Sequence, residues 1–264
     1  MLIYIIVPVN MQYKLIYYSI GDWGANSAHV NSATHVANSM ACYYPYMNPS
    51  PAFVVSLGDN FYENGVSGIS DELWDSAWFS KFIKPFSMMH NIRWVSILGN
   101  HDYYGGMNSV NSQIKMTNYS KNWVMPYKDY YSYDEETSSY HIFIDTIKIY
   151  PELYDKTKYL YDQQDVQNSL IILENMLMNA KKLKCKWIFV YGHYHIFSNG
   201  YYGNYQIMIQ RVLPLLKKYK VDVYFSGHDH NFQFLKYDGI YFCVNGVGAY
   251  KACLLYTSDA ADEV

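Results

Sequence analysis

The sequence predicts an α/β fold, because short apolar segments rich in β-forming residues alternate with stretches of helical periodicity. Each of five apolar runs leads into a glycine followed by a polar residue of a type that binds metal ions. In α/β sheets, ligands bind outside the carboxyl ends of the strands, where these polar residues fall. The predicted strands are Leu15–Ile20, Phe53–Leu57, Trp94–Leu98, Trp187–Tyr191 and Val221–Ser226.

Helical segments separate these strands and are expected to cover the faces of the sheet. The clearest helix spans Gln163–Lys184, where apolar residues recur at spacings of three and four. A second helix spans Gln206–Tyr219 and is interrupted at Pro214. Tyr140–Ile147 is predicted to be a further strand, and the long polar segment Met107–Asp134 a loop that overhangs the site.

The length and charge of the chain limit the number of domains and the kinds of partner that it can have. The chain has 264 residues, half of them apolar, and a net charge of −3 without any long run of Lys or Arg. We therefore expect a single domain over residues 14–251 that binds neither nucleic acid nor a membrane. The apolar start, Met1–Val9, is too short to span a bilayer, so residues 1–13 are either a signal remnant or an extra strand. The four cysteines show no CxxC spacing and encode no zinc knuckle.

Chemistry concentrates in the segments that follow the predicted strands. A single Gly-Asp after a strand is usually only a turn, but five such motifs in series supply carboxylates, an amide and several imidazoles to one sheet edge. This donor set predicts a metal site. The motifs are Gly21-Asp22-Trp23-Gly24, Gly58-Asp59-Asn60-Phe61-Tyr62, Gly99-Asn100-His101-Asp102, Gly192-His193-Tyr194-His195 and Gly227-His228-Asp229-His230.

The donor types favour two cations at this edge. Two cations at the usual separation of about 3.5–4 Å repel each other unless an anionic ligand bridges them, and Asp59 is the candidate bridge. Asp22 completes the carboxylates, while the neutral Asn100 adds a ligand without charge. His228 and His230 share one face if their segment is extended, whereas a tight turn directs them to different metals. Asp229 between them is a candidate to orient a ligand.

This ordered set of motifs resembles the purple acid phosphatases, in particular the small tartrate-resistant type, over roughly residues 14–250. The resemblance implies a four-layer metallophosphoesterase sandwich, in which two mixed β-sheets pack face to face with helices outside. It also implies that the closing strands are truncated here and that residues 252–264 are a non-native tail. A ferric ion is implied at Asp22, Asp59, Tyr62 and His230, and a divalent iron, zinc or manganese ion at Asp59, Asn100, His193 and His228.

The same resemblance assigns catalytic roles beside the metals. His101 is implied to bind phosphate and protonate the leaving group, and Asp102 is expected to fix its tautomer. The family usually has Pro where this chain has His195, and a second substrate histidine at the position of Tyr202. Either His195 or Tyr202 is therefore the candidate replacement.

The implied activity is that of an acid phosphatase, in which a metal-bound hydroxide attacks a small phosphate monoester. Two alternatives remain open: another metallophosphoesterase acting on phosphodiesters, nucleotides or phosphoproteins, and a catalytically impaired relative. The resemblance also implies a monomer in an extracellular, lysosomal or vacuolar location.

Overall fold

The computed structural model of the chain describes residues 4–9, 13–24, 30–249 and 254–256. Its first sheet is five-stranded with the order β1-β2-β3-β4-β5. Strands β2 to β5 run parallel, and β1 lies antiparallel to β2 at one edge. The strands are β1 (Tyr4–Val9), β2 (Tyr13–Ile20), β3 (Phe53–Ser56), β4 (Arg93–Ser96) and β5 (Trp123–Val124).

The second sheet is seven-stranded with the order β12-β10-β11-β9-β8-β7-β6. It is mixed, because two hairpin-like pairs, β6 with β7 and β10 with β11, are antiparallel while the central neighbours are parallel. Its strands are β6 (Tyr130–Asp134), β7 (Ser139–Phe143), β8 (Trp187–Tyr191), β9 (Val223–Ser226), β10 (Phe232–Tyr237), β11 (Ile240–Asn245) and β12 (Leu254–Tyr256).

The two sheets pack face to face through aromatic side chains. The ring of Tyr17 on β2 is completely buried and meets Phe189, Tyr191 and Phe225 of the other sheet edge-on, at centroid distances of 6.3–6.4 Å. The Tyr191 hydroxyl donates to the Tyr17 hydroxyl at 2.7 Å, so the polar end of each ring is satisfied inside the core.

Helices cover the outer faces. The helix Val30–Tyr43 (α1) and a π-helical segment, Trp74–Ile83, lie outside the five-stranded sheet, and the helix Gln163–Lys182 (α5) packs against β7 of the other sheet. This arrangement confirms the predicted α/β sandwich of two sheets between helices. The α-helices are α1 (Val30–Tyr43), α2 (Asn100–Tyr104), α3 (Met107–Met116), α4 (Thr146–Ile149), α5 (Gln163–Lys182), α6 (Gln206–Arg211) and α7 (Leu213–Lys218).

Two predicted elements were wrong. The strand expected over Tyr140–Ile147 ends at Phe143, because the Asp145 side chain accepts from the Ile147 amide at 3.1 Å and starts α4. The loop expected over Met107–Asp134 contains α3, β5 and β6, since Val110 and Met116 bury one face of a helix. The interrupted helix near Pro214 appears as α6 and α7, with Pro214 in the first turn of α7.

The ends of the chain contribute edge strands. β1 corresponds to one of the two alternatives for the start of the sequence, the extra strand. Leu254–Tyr256, within the predicted non-native tail, pairs in parallel with β10, while 252–253 and 257–264 lie outside the described residues. Within the ranges that the structure covers, no helix combines the length and apolar character that crossing a bilayer requires.

Candidate metal centre

The predicted metal ligands come together at the carboxyl ends of five strands, three from the first sheet and two from the second. Because the sheets pack face to face, loops that are distant in sequence meet there. The side chains form one cluster joined by contacts of 3.5 Å or less. Its members are Asp22, Asp59, Tyr62, Asn100, His193, His228 and His230.

Tight turns aim three of these side chains inward. Asp22, Asp59 and His228 have φ values of 58°, 52° and 68°, in the left-handed region that residues with a Cβ rarely adopt. Such strain persists only where the surroundings enforce it, and it is common at functional sites. Gly58 precedes Asp59 with φ of 87°, and a Cβ there would lie 2.7 Å from His193 Nδ1. A glycine is therefore required beside the cluster.

Four atoms converge to form what we call the first donor group: Asp22 Oδ1, Asp59 Oδ2, the Tyr62 hydroxyl and His230 Nε2. The Tyr62 hydroxyl lies 2.9 Å from Asp59 Oδ2 and 3.2 Å from Asp22 Oδ1. His230 Nε2 lies 3.3 Å from both the Tyr62 hydroxyl and Asp22 Oδ1.

The second donor group lies on the other side of Asp59 and comprises Asp59 Oδ1, Asn100 Oδ1, His193 Nε2 and His228 Nδ1. His193 Nε2 is 3.1 Å from the Asn100 oxygen, 3.5 Å from Asp59 Oδ1 and 3.2 Å from His228 Nδ1. Asp59, His193 and His228 each offer an atom within 4.8 Å of the others, which makes them a candidate metal-binding triad. Asp59 thus presents one oxygen to each group, the arrangement expected of a bridging carboxylate.

The spacing of the donor atoms in both groups is explained better by bound cations than by hydrogen bonds alone. Donor atoms that share one ion at about 2.0–2.3 Å lie about 3–3.5 Å apart, which is the spacing seen here. The Tyr62 hydroxyl carries one hydrogen and cannot serve two carboxylate oxygens at once. Asp22 and Asp59 are almost completely buried, and two carboxylates so placed need a compensating positive charge.

The electrostatics of the cluster show the same need for positive charge. Burial opposes the ionised form of Asp59, yet the charge and hydrogen bonding of His193 hold the pKa of its carboxyl well below its usual range. Burial lowers the pKa of His193, but the adjacent Asp59 and Asp22 raise it to about 9. In the metal-free protein, protonated His193 supplies part of the charge that a cation would supply. Burial and neighbouring histidines hold the pKa of His228 well below its usual value.

Surrounding groups orient the ligands. The Leu57 carbonyl accepts from His193 Nδ1 at 2.8 Å, so the Nε2 lone pair of the neutral ring faces the second donor group. The Asn100 amide donates to the Tyr104 hydroxyl at 2.8 Å, which turns its oxygen toward the same group. The amide of His228 donates to Asp22 Oδ2 at 2.8 Å and ties the two turns together.

His101 lies at the edge of the site, partly exposed, with its ring between those of Tyr62 and Tyr104. Its amide donates to Asp59 Oδ1 at 2.9 Å. Its Nδ1 donates to the carbonyl of Glu63 at 2.8 Å, which leaves Nε2 available for a substrate. The residue that sets the His101 tautomer is therefore Glu63, through its backbone.

The expected role of Asp102 was wrong. Its carboxylate is buried and accepts from the amides of Asn60, Phe61 and Gly99 and from the Gln113 side chain. Burial and the charge of Asp59 raise the pKa of Asp102 to about 7. Asp102 stabilises the turn that carries Asp59 and does not contact the imidazole of His101, because it points under the turn.

Asp229 also has a different role from the one predicted. Its side chain accepts from Ser198 Oγ at 2.6 Å, so it fixes the loop after β8 instead of orienting His228 or His230.

The two candidates for the second substrate histidine lie beside His228. His195 is completely buried, donates from Nε2 to the Gly203 carbonyl at 2.8 Å, and stacks on Tyr205 at a centroid distance of 4.2 Å. Burial lowers its pKa to about 4, so this imidazole is neutral near pH 7. Tyr202 is 41% exposed, and its ring stacks on His228 at 4.8 Å. Of the two, Tyr202 lies on the solvent side.

Several contacts to the ligands were missed from the sequence. Tyr104 binds Asn100, and the hydroxyls of Tyr154 and Tyr205 each lie 2.9 Å from His228 Nε2. No motif marks these tyrosines in a chain with 31 of them. Of the three, only Tyr104 could have been expected from the sequence, because it follows the Asn100 motif closely.

Comparison with known proteins agrees with this geometry. A family model described as calcineurin-like phosphoesterase matches residues 19–232. Tartrate-resistant acid phosphatase type 5 of Sus scrofa is 30% identical over 244 residues, covering 89% of this chain and 69% of the relative. Purple acid phosphatase 7 of Arabidopsis thaliana is 30% identical over 225 residues, covering 83% of this chain and 65% of the relative.

Among solved structures, GAP50, the anchor in the inner membrane complex of Plasmodium, superposes with a TM-score of 0.73 at 24% identity. The match covers 88% of this chain and 71% of that one. At this identity the likeness concerns the fold.

Proposed function

The chain belongs to the calcineurin-like phosphoesterase family, within its purple acid phosphatase group, and on that premise we propose that it is an acid phosphatase that hydrolyses small phosphate monoesters. Family membership supports phosphoester hydrolysis, and the metals and the monoester specificity are our proposal. The observation that carries it is the Tyr62 hydroxyl within the first donor group, 2.9 Å from Asp59. A phenol, with an ordinary pKa near 10, ionises as a ligand at low pH only beside a strongly acidic cation.

The two donor groups suit different ions. We assign Fe(III) to the first donor group, with its two carboxylates, phenol and imidazole. The second, with one carboxylate oxygen, an amide oxygen and two imidazoles, suits divalent iron, zinc or manganese. When bound, the pair supplies Lewis acidity that activates water and neutralises charge on the phosphoryl group.

Side chains around the ions are the candidates for proton donation and for binding of the phosphate group. His101, with its proton on Nδ1 held by the Glu63 carbonyl, turns Nε2 toward the substrate side and is the candidate donor of a proton to the leaving oxygen. Tyr202, on the solvent side of His228, is the candidate to hydrogen-bond a phosphate oxygen. About three negative charges on two carboxylates and a phenolate face about five positive charges on the ions, and the surplus favours a phosphate anion.

Metal analysis and visible absorption test this proposal. We expect the purified protein to contain iron and to absorb in the visible range through tyrosinate-to-iron charge transfer. It should hydrolyse p-nitrophenyl phosphate best at acidic pH within the range of about 4 to 8. Colourless, iron-free protein with full activity would overturn the ferric assignment. Faster hydrolysis of bis-p-nitrophenyl phosphate would favour a phosphodiesterase of the same family.

A second candidate function is ion binding with little turnover. Tyr202 favours it, because a phenol is a poorer proton donor at acidic pH than the imidazolium that the family resemblance implies at this position. A fully metal-loaded chain no faster than its Asp59→Asn variant would establish this alternative.

A further inference from the structure

Two tyrosine hydroxyls meet the far nitrogen of His228, on the opposite side of the ring from the second donor group. The hydroxyl of Tyr154 and that of Tyr205 each lie 2.9 Å from Nε2. Tyr154 follows a short 3-10 turn, Pro151–Leu153, and Tyr205 precedes α6. Two segments that lie on either side of α5 and β8 in the sequence thus converge on one imidazole nitrogen.

His228 has two neutral tautomers with opposite consequences for an ion. When an ion takes the place of the Nε2 proton of His193, the Leu57 carbonyl keeps the other proton on Nδ1, so the Nε2 lone pair faces His228 Nδ1 at 3.2 Å. With its proton on Nδ1, His228 would donate to that lone pair, and neither nitrogen could bind a cation. With its proton on Nε2, His228 leaves both lone pairs free to share one cation.

We propose that Tyr154 and Tyr205 are positioning residues. Their hydroxyl oxygens accept a hydrogen bond from Nε2–H of His228 and so select the tautomer whose Nδ1 can bind the second ion. This inference rests on the proposed dinuclear centre. Outer groups that hold a ligand's second nitrogen are commonly carboxylates or backbone carbonyls. In this chain a pair of phenols takes that place.

Neighbouring side chains hold both phenols against His228. Tyr154 also interacts with the hydroxyls of Tyr202 and Tyr205, which are alternative acceptors for its own hydrogen, so its oxygen lone pairs remain for His228. Tyr205 is 8% exposed and stacks on the buried ring of His195, which fixes its direction.

Removing the hydroxyls without the rings tests the inference. Tyr154→Phe, Tyr205→Phe and the double variant keep the aromatic packing, and Tyr201→Phe is the control, since Tyr201 lies in the same loop and is 91% exposed. Each protein is loaded with ferric ion and then titrated with Zn²⁺ by calorimetry. The ferric absorption reports on the first donor group in the same sample, and near-ultraviolet circular dichroism reports on folding.

We expect the double variant to bind Zn²⁺ about 10- to 100-fold more weakly, with ferric absorption and folding unchanged. Each single variant should lose less than about tenfold, because the remaining hydroxyl still accepts the proton, so the two effects should not be additive. Wild-type Zn²⁺ affinity in the double variant would overturn the inference and leave the proposed function in place. A wild-type chain that takes up no ion at all would overturn the proposed function, and this inference with it.

Discussion

At the scale of single residues, the site combines unusual backbone conformations with ordinary side-chain chemistry. Asp22, Asp59 and His228 each have positive φ, which costs roughly 1–2 kcal/mol per residue. Hydrogen bonds between the turns hold them there: the Asp22 amide donates to the Gly58 carbonyl at 3.0 Å, and the His228 amide donates to Asp22. The strain directs these side chains to a common centre.

Tyr62→Phe should separate the two donor groups. The variant keeps the ring but loses the phenol oxygen, so we expect the visible absorption to disappear and ferric affinity to fall by more than about 100-fold, beyond the loss typical of an outer contact. Zn²⁺ binding by the second donor group should change little. Tyr133→Phe, on β6 at the edge of the seven-stranded sheet, is the control for removal of a phenol elsewhere. Retained absorption in Tyr62→Phe would mean that another phenol is the iron ligand.

His141 should make stability depend on pH. Burial lowers its pKa from 6.5 to about 3, so the folded protein binds fewer protons than the unfolded chain between these values. The stability that the neutral ring allows is fully present above pH 6.5 and is lost as the pH falls toward 3, by up to about 1.4 kcal/mol per pH unit.

His141→Gln removes this titration while keeping hydrogen-bonding capacity for Ser139 and Tyr191, the present partners. Urea unfolding at pH 6 and pH 4.5 should show a shallower loss of stability in this variant than in the wild type. His35→Gln, an exposed histidine of α1, should keep the wild-type slope. Equal slopes for all three proteins would show that His141 does not carry the effect.

Sequence reasoning at this scale anticipated which side chains converge where residue type and chain position coincide. The predicted ligands follow strands directly, and the structure brings all seven into one cluster. It failed for contacts made across the fold. Asp102 lies next to His101 in sequence but binds the Asn60 turn, and Tyr154 and Tyr205 approach His228 through loops whose shape no motif encodes.

At the scale of elements, apolar periodicity located the buried strands and the long helices well. Boundaries depended on capping that the periodicity does not contain: Asp145 ends the β7 region by starting α4. The polar composition of Met107–Asp134 concealed α3, whose buried face includes Ser109, Ser112 and Gln113 beside Val110. Small polar residues that are hydrogen-bonded inside the fold gave that segment the appearance of a loop.

Gly58→Ala should damage the turn between β3 and the site more than a comparable change elsewhere. A Cβ at Gly58 would lie 2.7 Å from both Gly99 N and His193 Nδ1. Gly239 has a similar φ of 80°, against 87° at Gly58, but open space around it, so Gly239→Ala is the matched control for backbone strain alone.

We expect Gly239→Ala to lose about 1–2 kcal/mol of unfolding free energy and Gly58→Ala at least about 2 kcal/mol more, measured by urea denaturation. Gly58→Ala should also weaken binding of the ion in the second donor group, because the new Cβ forces the His193 ring to move. Equal losses in the two variants would contradict the crowding seen beside His193.

At the scale of the whole molecule, the candidate centre lies where the two sheets meet. Asp22, Asp59 and Asn100 come from the five-stranded sheet, whereas His193 and the His228 turn come from the seven-stranded sheet. Each donor group therefore joins both sheets. The sequence predicted strands and ligands in order, but it could not assign strands to sheets, because that choice depends on pairing between distant segments.

Removing the ions should consequently loosen the contact between the sheets. After a chelator has removed the ions, only histidines compensate the negative charge of the two buried carboxylates. We therefore expect the ion-free protein to melt at a lower temperature. Restoring the ions at about 100 times their dissociation constant should add about 2.7 kcal/mol for each independent site. Calorimetry with and without ions measures this, and Asp59→Asn, which weakens the bridge to both donor groups, should lose most of the gain. If ions bind stoichiometrically to the wild type and leave the melting temperature unchanged, the site does not hold the sheets together.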